Sequence, residues 1–248
     1  MIIEYFRPST LEEALQLLSK PEVRPLGGGT LLTRAKEGSF AVVDLQALGL
    51  NKIHKAGSSL AIGATVTLSQ LLESAHIPPA LAESLRREAP LNLRNLGTAA
   101  GTLVGCDGRS TFTAALLALD AKLTFEPGEE TLGLGDFLPL RGEKLAGKLI
   151  TKIELPLNTK LAFESVARTP ADQPIVCVAL AQWPSGRTRL TLGGFGPAPI
   201  LALDGNEAGG LETAARNAFS EAGDEWASAG YRSEVAAVLA RRAQDSLA

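Results

Sequence analysis

From residue 161 onward the chain reads as three strand-like runs followed by two helices, and this order constrains the fold more than any other feature of the sequence. The runs are Leu161 to Ala167, Ile175 to Trp183 and Thr188 to Phe195, spaced like a meander. They predict a three-stranded antiparallel sheet, with helices at about Leu211 to Ala222 and Tyr231 to Leu247. On the last helix Tyr231, Val235, Val238 and Leu239 fall on one face. Before residue 157 strands and helices are mixed. The chain therefore reads as an α/β part, 1–157, joined to an α+β part, 158–248.

The first part opens with a capping box, Ser9 and Glu12, ahead of an apolar stripe of Leu11, Ala14, Leu15 and Leu18. Strands are expected at Val23 to Leu26, Phe40 to Leu45, Leu60 to Val66, Lys122 to Glu126 and Leu149 to Pro156. Thr67 and Gln70 cap a short helix, Pro78-Pro79 begin another that runs to about Ala89, and Phe112 to Ala121 is an apolar helix.

Two segments have the composition of anion-binding loops. Leu26-Gly27-Gly28-Gly29-Thr30-Leu31 follows a strand. Three residues without Cβ let amide groups close on a diphosphate, and Thr30 adds a hydroxyl donor. No Gly-Lys-Ser/Thr follows, and the spacing is not G-x-G-x-x-G. The second segment, Gly97-Thr98-Ala99-Ala100-Gly101-Thr102, is followed by Asp107, Arg109, Ser110 and Thr111. Two such loops could clamp one diphosphate ligand from two sides. The competing reading is a tight contact that demands small side chains, and the residues alone leave the two even.

Other chemistries find little support. A net charge of -3 gives no basic face for nucleic acid. Two cysteines, Cys106 and Cys177, and two histidines, His54 and His76, offer no metal pattern, so no metal ligand is expected. They make no nucleophilic triad either, and no catalytic side chain is expected. No apolar run reaches the length of a membrane span, and the N-terminus does not read as a signal peptide, so a cytoplasmic protein is expected.

Six motifs in order resemble one family. They are Glu4 to Ala14, Leu26 to Thr30, Arg94 to Leu103, Ala114 to Ala121, Gly194 to Pro199, and Tyr231-Arg232 through Val238 to Ala243. Together they resemble the medium, FAD-binding subunit of the molybdenum hydroxylases of the xanthine dehydrogenase and carbon monoxide dehydrogenase type. The resemblance implies a mixed α/β, α+β chain. Its first part would be a two-lobed FAD-binding domain of the molybdenum-hydroxylase/vanillyl-oxidase type, with lobes at about 1–55 and 56–157, followed by the C-terminal α+β domain. It implies FAD held by Leu26, Gly27, Gly28, Gly29, Thr30 and Leu31 on one side. Gly97, Thr98, Ala100, Gly101 and Thr102 would form the other side, with Asp107 and Thr111 toward the ribose. It also implies a hetero-oligomer with an iron–sulfur small subunit and a molybdenum-cofactor large subunit. Electrons would pass through the flavin to NAD, a quinone or dioxygen.

The chain departs from the family pattern at several positions. Leu31 stands where an aspartate is usual, Ala100-Gly101-Thr102 replaces Gly-Gly-Asn, and Thr111 occupies the register of a ribose-binding aspartate. The strand Phe163 to Arg168 has no lysine. A structural subunit that has lost or weakened FAD binding is the alternative these departures imply.

Overall fold

The computed structural model describes residues 1–34, 38–206 and 209–247. In chain order they form β1 (Ile2–Phe6), α1 (Leu11–Leu18), β2 (Val23–Leu26), β3 (Phe40–Asp44), β4 (Ile53–Ala56) and β5 (Ser59–Gly63). Next come α2 (Leu68–Glu73), α3 (Pro79–Glu88), α4 (Leu91–Arg94), α5 (Ala99–Gly105) and α6 (Thr111–Ala118). Then follow β6 (Lys122–Glu126), β7 (Glu130–Gly133), α7 (Leu134–Phe137), α8 (Arg141–Lys144) and β8 (Leu149–Pro156). The chain ends with β9 (Lys160–Val166), β10 (Val176–Gln182), β11 (Thr188–Gly193), β12 (Ile200–Gly205), α9 (Leu211–Ala218) and α10 (Ala229–Asp245).

By internal packing the chain forms two compact units that interleave along the sequence. One comprises Met1–Ala75, Leu91–Gly105 and Lys122–Glu154, and the other His76–Pro90, Cys106–Ala121 and Leu155–Ala248.

The first unit holds two sheets. One is a three-stranded parallel sheet in the order β1-β3-β2. Its middle strand, Phe-Ala-Val-Val-Asp, is buried at every position, as the unbroken apolar run requires. Helix α1 packs Ala14, Leu11, Leu15 and Leu18 on this sheet. Its cap lies one residue later than the sequence suggested. The Thr10 hydroxyl accepts from the Glu13 amide at 3.2 Å, and the Ser9 amide donates to the Glu13 carboxylate at 3.2 Å. Thr10 is the extended residue, which is the conformation an N-cap needs.

The other sheet has five strands in the order β4-β5-β8-β6-β7. Phe125 on β6 and Phe137 on α7 stand 5.5 Å apart at a tilted angle, a pairing that contributes about 0.5–1.5 kcal/mol beyond their burial. Helix α2 carries the expected capping box, with the Thr67 hydroxyl accepting from the Gln70 amide and the Gln70 side chain accepting from the Thr67 amide.

In the second unit the meander gains a strand. The antiparallel sheet has four strands, β12-β11-β10-β9, rather than three. The extra strand, Ile200 to Gly205, is a partly exposed edge without polar–apolar alternation, so the sequence carried no strand signal there. β10 is buried along nearly its whole length. Val176, Val178 and Leu180 join the core shared with α9 and α10. On the opposite face the Thr191 hydroxyl of β11 donates to the Ala114 carbonyl of α6 at 2.8 Å. An α6 buried on every side explains why its sequence is apolar all round.

The buried face of α10 also differs from the expectation. Arg232, Ala236, Leu239, Ala240 and Ala243 are buried, while Tyr231 and Val238 are exposed. The small residues let α10 lie close against β10 and α9, with Leu239 buried among them and Tyr231 and Val238 facing outward. Arg232 is fully buried because it replaces missing partners for the backbone. It donates to the carbonyls of Ile175 (3.1 Å), Ala222 (2.7 Å) and Ala227 (3.0 Å) and to Asp224 (2.7 Å).

Candidate functional site

The parallel sheet of the first unit places three strand ends side by side, and open α/β sheets bind ligands at that edge. After β2 comes the Gly27–Leu31 turn, β3 ends on Asp44 with Gln46 just beyond, and after β1 comes Arg7. Two clefts meet at this edge. One, of about 620 Å³, is lined by polar groups including Tyr5, Arg7, Asp44, Gln46, Gln70 and Asn95. The other, of about 330 Å³, is largely apolar, with Leu18, Val23, Leu32, Val104, Leu149 and Ile150 in its wall. Gly27, Gly28, Thr65 and Thr98 line both. Each volume lies in the range of small-molecule sites.

The ridge between the clefts is made by the two small-residue runs, which touch. A Cβ on Gly28 would lie 1.6 Å from the Leu96 carbonyl oxygen, so only glycine fits there. The Thr98 side chain sits between two more glycines: a Cβ on Gly27 would come within 2.9 Å of its hydroxyl, and one on Gly101 within 2.7 Å. Gly29 has φ +74°, the left-handed region that glycine enters without strain.

The two runs differ in what they offer a ligand. Among the described residues, no acceptor in the chain receives the amides of Gly28, Gly29, Thr30 or Leu31. The amides of the second run are engaged. Ala99 donates to the Val66 carbonyl (2.8 Å), Ala100 to the Ala64 carbonyl (3.2 Å), Gly101 to the Thr98 hydroxyl (3.2 Å) and Thr102 to the Thr98 carbonyl (2.9 Å). The sequence suggested a loop over Gly97–Thr102. The structure forms α5 from Ala99, with Thr98 in the role of its cap, because small residues and a preceding hydroxyl satisfy a helix start as readily as a ligand.

The remaining expected site residues divide between the units. Leu26 lines the polar cleft, and Thr30, Leu31, Ala100 and Gly101 the apolar one. The Leu31 side chain lies over Gly105 of α5, where an added Cβ would meet it at 2.3 Å. Gly97 and Thr102 serve the backbone: the Gly97 carbonyl accepts from the Leu68 amide (2.9 Å), and the Thr102 hydroxyl donates to the Thr98 carbonyl (2.9 Å). Asp107 and Thr111 belong to the second unit. Asp107 accepts from the Arg109 amide at 2.8 Å. Thr111 is fully buried and its hydroxyl donates to the Ser84 carbonyl at 2.7 Å.

Sequence reasoning missed the polar cleft. Asp44 is 6% exposed and accepts from the Gln46 amide (2.9 Å) and the Tyr5 hydroxyl, with the Arg7 guanidinium 3.8 Å away. The hydrogen bond to Asp44 raises the Tyr5 phenol above its ordinary pKa. Asp44 was legible only as the polar end of a buried strand. Among the described residues, no group of three His, Cys, Asp or Glu side chains could hold a metal, and no helix is long and apolar enough to cross a membrane. Cys106 and Cys177 are both buried.

The chain is similar to known proteins. The chain is 30% identical over 247 residues to the protein YgfM of Escherichia coli K12, covering 96% of this chain and 94% of that one. It is 27% identical to the medium chain of glyceraldehyde dehydrogenase from Sulfolobus acidocaldarius, covering 81% and 78%. A chain of the reconstituted CO dehydrogenase from Oligotropha carboxidovorans superposes with a TM-score of 0.83 at 26% identity, covering 98% and 96%. Residues 1–158 match the family described as the FAD binding domain in molybdopterin dehydrogenase. With its parallel-sheet edge, its glycine ridge and these relatives together, the chain belongs to the FAD-binding, medium-subunit family of the molybdenum hydroxylases.

Proposed function

We propose that this chain is the electron-transfer subunit of a multi-subunit molybdenum hydroxylase, with FAD bound at the ridge between the two clefts. The observation that carries the reading is the row of amides from Gly28 to Leu31, which meet no acceptor in the described chain and stand at the C-terminal edge of a parallel sheet. Such donors suit a diphosphate. The groups on either side of that diphosphate would occupy the polar and the apolar cleft. Gly28 lets the turn approach the second run, and Thr98 braces both.

The bound flavin would supply the redox chemistry, accepting electrons and releasing them to an external acceptor. The residues of this chain bind and orient it and need act as no acid, base or nucleophile. Residues 1–157 would act as the FAD-binding domain. A cytoplasmic hetro-oligomer with an iron–sulfur subunit and a molybdenum-cofactor subunit completes the reading, with NAD, a quinone or dioxygen as acceptor.

The test is a visible spectrum of the purified chain after incubation with FAD and gel filtration. Flavin bands that travel with the protein are the expected result. A colourless protein would overturn the reading in favour of a structural subunit of the same family. That second reading has one observation behind it: the amides from Ala99 to Thr102 are already spent within the chain.

A further inference from the structure

We infer that Thr65 contacts the bound cofactor directly, its hydroxyl donating to an oxygen of the diphosphate at the point where the two clefts meet. This rests on the FAD reading above and adds to it a residue outside both glycine runs.

Thr65 is only 7% exposed, and its hydroxyl has no hydrogen-bond partner. A buried hydroxyl left unpaired is destabilising, so such a group calls for an explanation. Thr159 and Arg189 also carry buried atoms without partners, but neither lines these clefts. Thr65 lines both, beside Gly27, Gly28 and Thr98.

The backbone around Thr65 is pinned. Its amide donates to the Leu50 carbonyl at 3.0 Å, the Ala64 amide donates to the Thr151 carbonyl at 3.0 Å, and the Ala64 carbonyl accepts from Ala100. The side chain therefore has a fixed origin, and a β-branched residue there has few rotamers. Valine would fill the same space without an orphan hydroxyl, so packing does not explain the threonine. A ligand oxygen at the ridge does. The Gly28–Leu31 amides would meet the diphosphate from one side and the Thr65 hydroxyl from another.

The experiment compares the full chain with Thr65→Val and Thr65→Ser by FAD titration, read by flavin fluorescence, and by thermal melting without FAD. The expected result is FAD affinity at least about tenfold weaker in Thr65→Val and within about threefold of the parent in Thr65→Ser. The ligand-free melting temperature of Thr65→Val should match or exceed the parent's, since the substitution removes an unpaired polar group. Equal affinity in parent and Thr65→Val would overturn the inference while leaving the FAD reading intact. A drop in affinity together with a drop in ligand-free melting temperature would assign Thr65 a structural role instead. A parent chain that binds no FAD would overturn both.

Discussion

Replacing Gly28 with alanine tests the geometry on which the site depends. The added methyl would sit 1.6 Å from the Leu96 carbonyl oxygen and 2.4 Å from its carbon. Both atoms are backbone, so no rotamer change relieves the clash, and the two runs must part by roughly 1.5–2 Å to reach ordinary contact. Overpacking of this kind costs about 1–3 kcal/mol or more, and the rigidity of both partners places Gly28→Ala near the top of that range. For a chain of this size about 3 kcal/mol lowers the melting temperature by roughly 6–12 °C. Two controls calibrate it. Gly29→Ala meets nothing closer than 3.5 Å but must hold φ +74°, at a cost of about 1–2 kcal/mol. Gly27→Ala meets the Thr98 hydroxyl at 2.9 Å, a side chain that can turn away, and should cost less than Gly28→Ala. The assay is calorimetry of the three variants without ligand. At a site with no steric demand, Gly→Ala stabilises by about 0.4–1 kcal/mol through the unfolded chain. A Gly28→Ala variant as stable as the parent would therefore refute the close approach of the two runs.

Two predictions concern the second unit. Arg232→Ala removes the buried guanidinium that bonds three carbonyls and Asp224, although Asp224 keeps the Trp226 and Ala227 amides and Arg109, and should lower stability by roughly 3 kcal/mol in urea unfolding; a loss below about 1 kcal/mol would show that the cluster relaxes easily. Burial raises the Glu88 carboxyl above its ordinary pKa, against the opposing hydrogen bonds from the Phe112 amide, Ser110 and Thr111. The folded state then holds this proton more tightly than the unfolded state. Stability should fall as pH rises from the usual glutamate value toward the raised one, and Glu88→Gln should flatten that slope in melting curves taken against pH.

The core strands were legible because burial on both faces leaves a continuous apolar run, as in Phe40–Asp44 and Val176–Gln182. The edges were not. β1, β7 and β12 are partly exposed, carry no alternation and take their shape from a neighbour. The interleaving of the two units was also hidden. α3 and α6 read as ordinary amphipathic and apolar helices, and nothing in their composition says which sheet they cover. At the site, the glycine runs stood out by composition, whereas Asp44 and Thr65 did not. Asp44 is the single polar residue ending a buried strand and Thr65 follows just after β5, and the surroundings of each arise only when strands distant in sequence align.

The residues alone leave a cradle and a packing contact even for the glycine runs; the structure shows close packing at Gly28 and leaves the amides that follow without an acceptor among the described residues. Gly28 and the second run supply the contact. On the proposed reading, Gly29 and the amides that follow would supply the donors. The departures from the family pattern fall mostly on the packing side of this division. The Leu31 side chain covers Gly105, the Ala100 amide is held by Ala64, and the Thr102 hydroxyl is held by Thr98. A substitution matters to a ligand if it removes a group that faces the ligand or adds one that blocks it, and Leu31 and Ala100 both line the apolar cleft. Leu31 keeps its free amide whatever its side chain, and the methyl of Ala100 stands on an amide already committed to the chain. On the proposed reading, diphosphate affinity would depend on whether the Gly28–Leu31 amides stay in line, and that alignment rests on the close approach to Leu96 that only glycine at 28 permits.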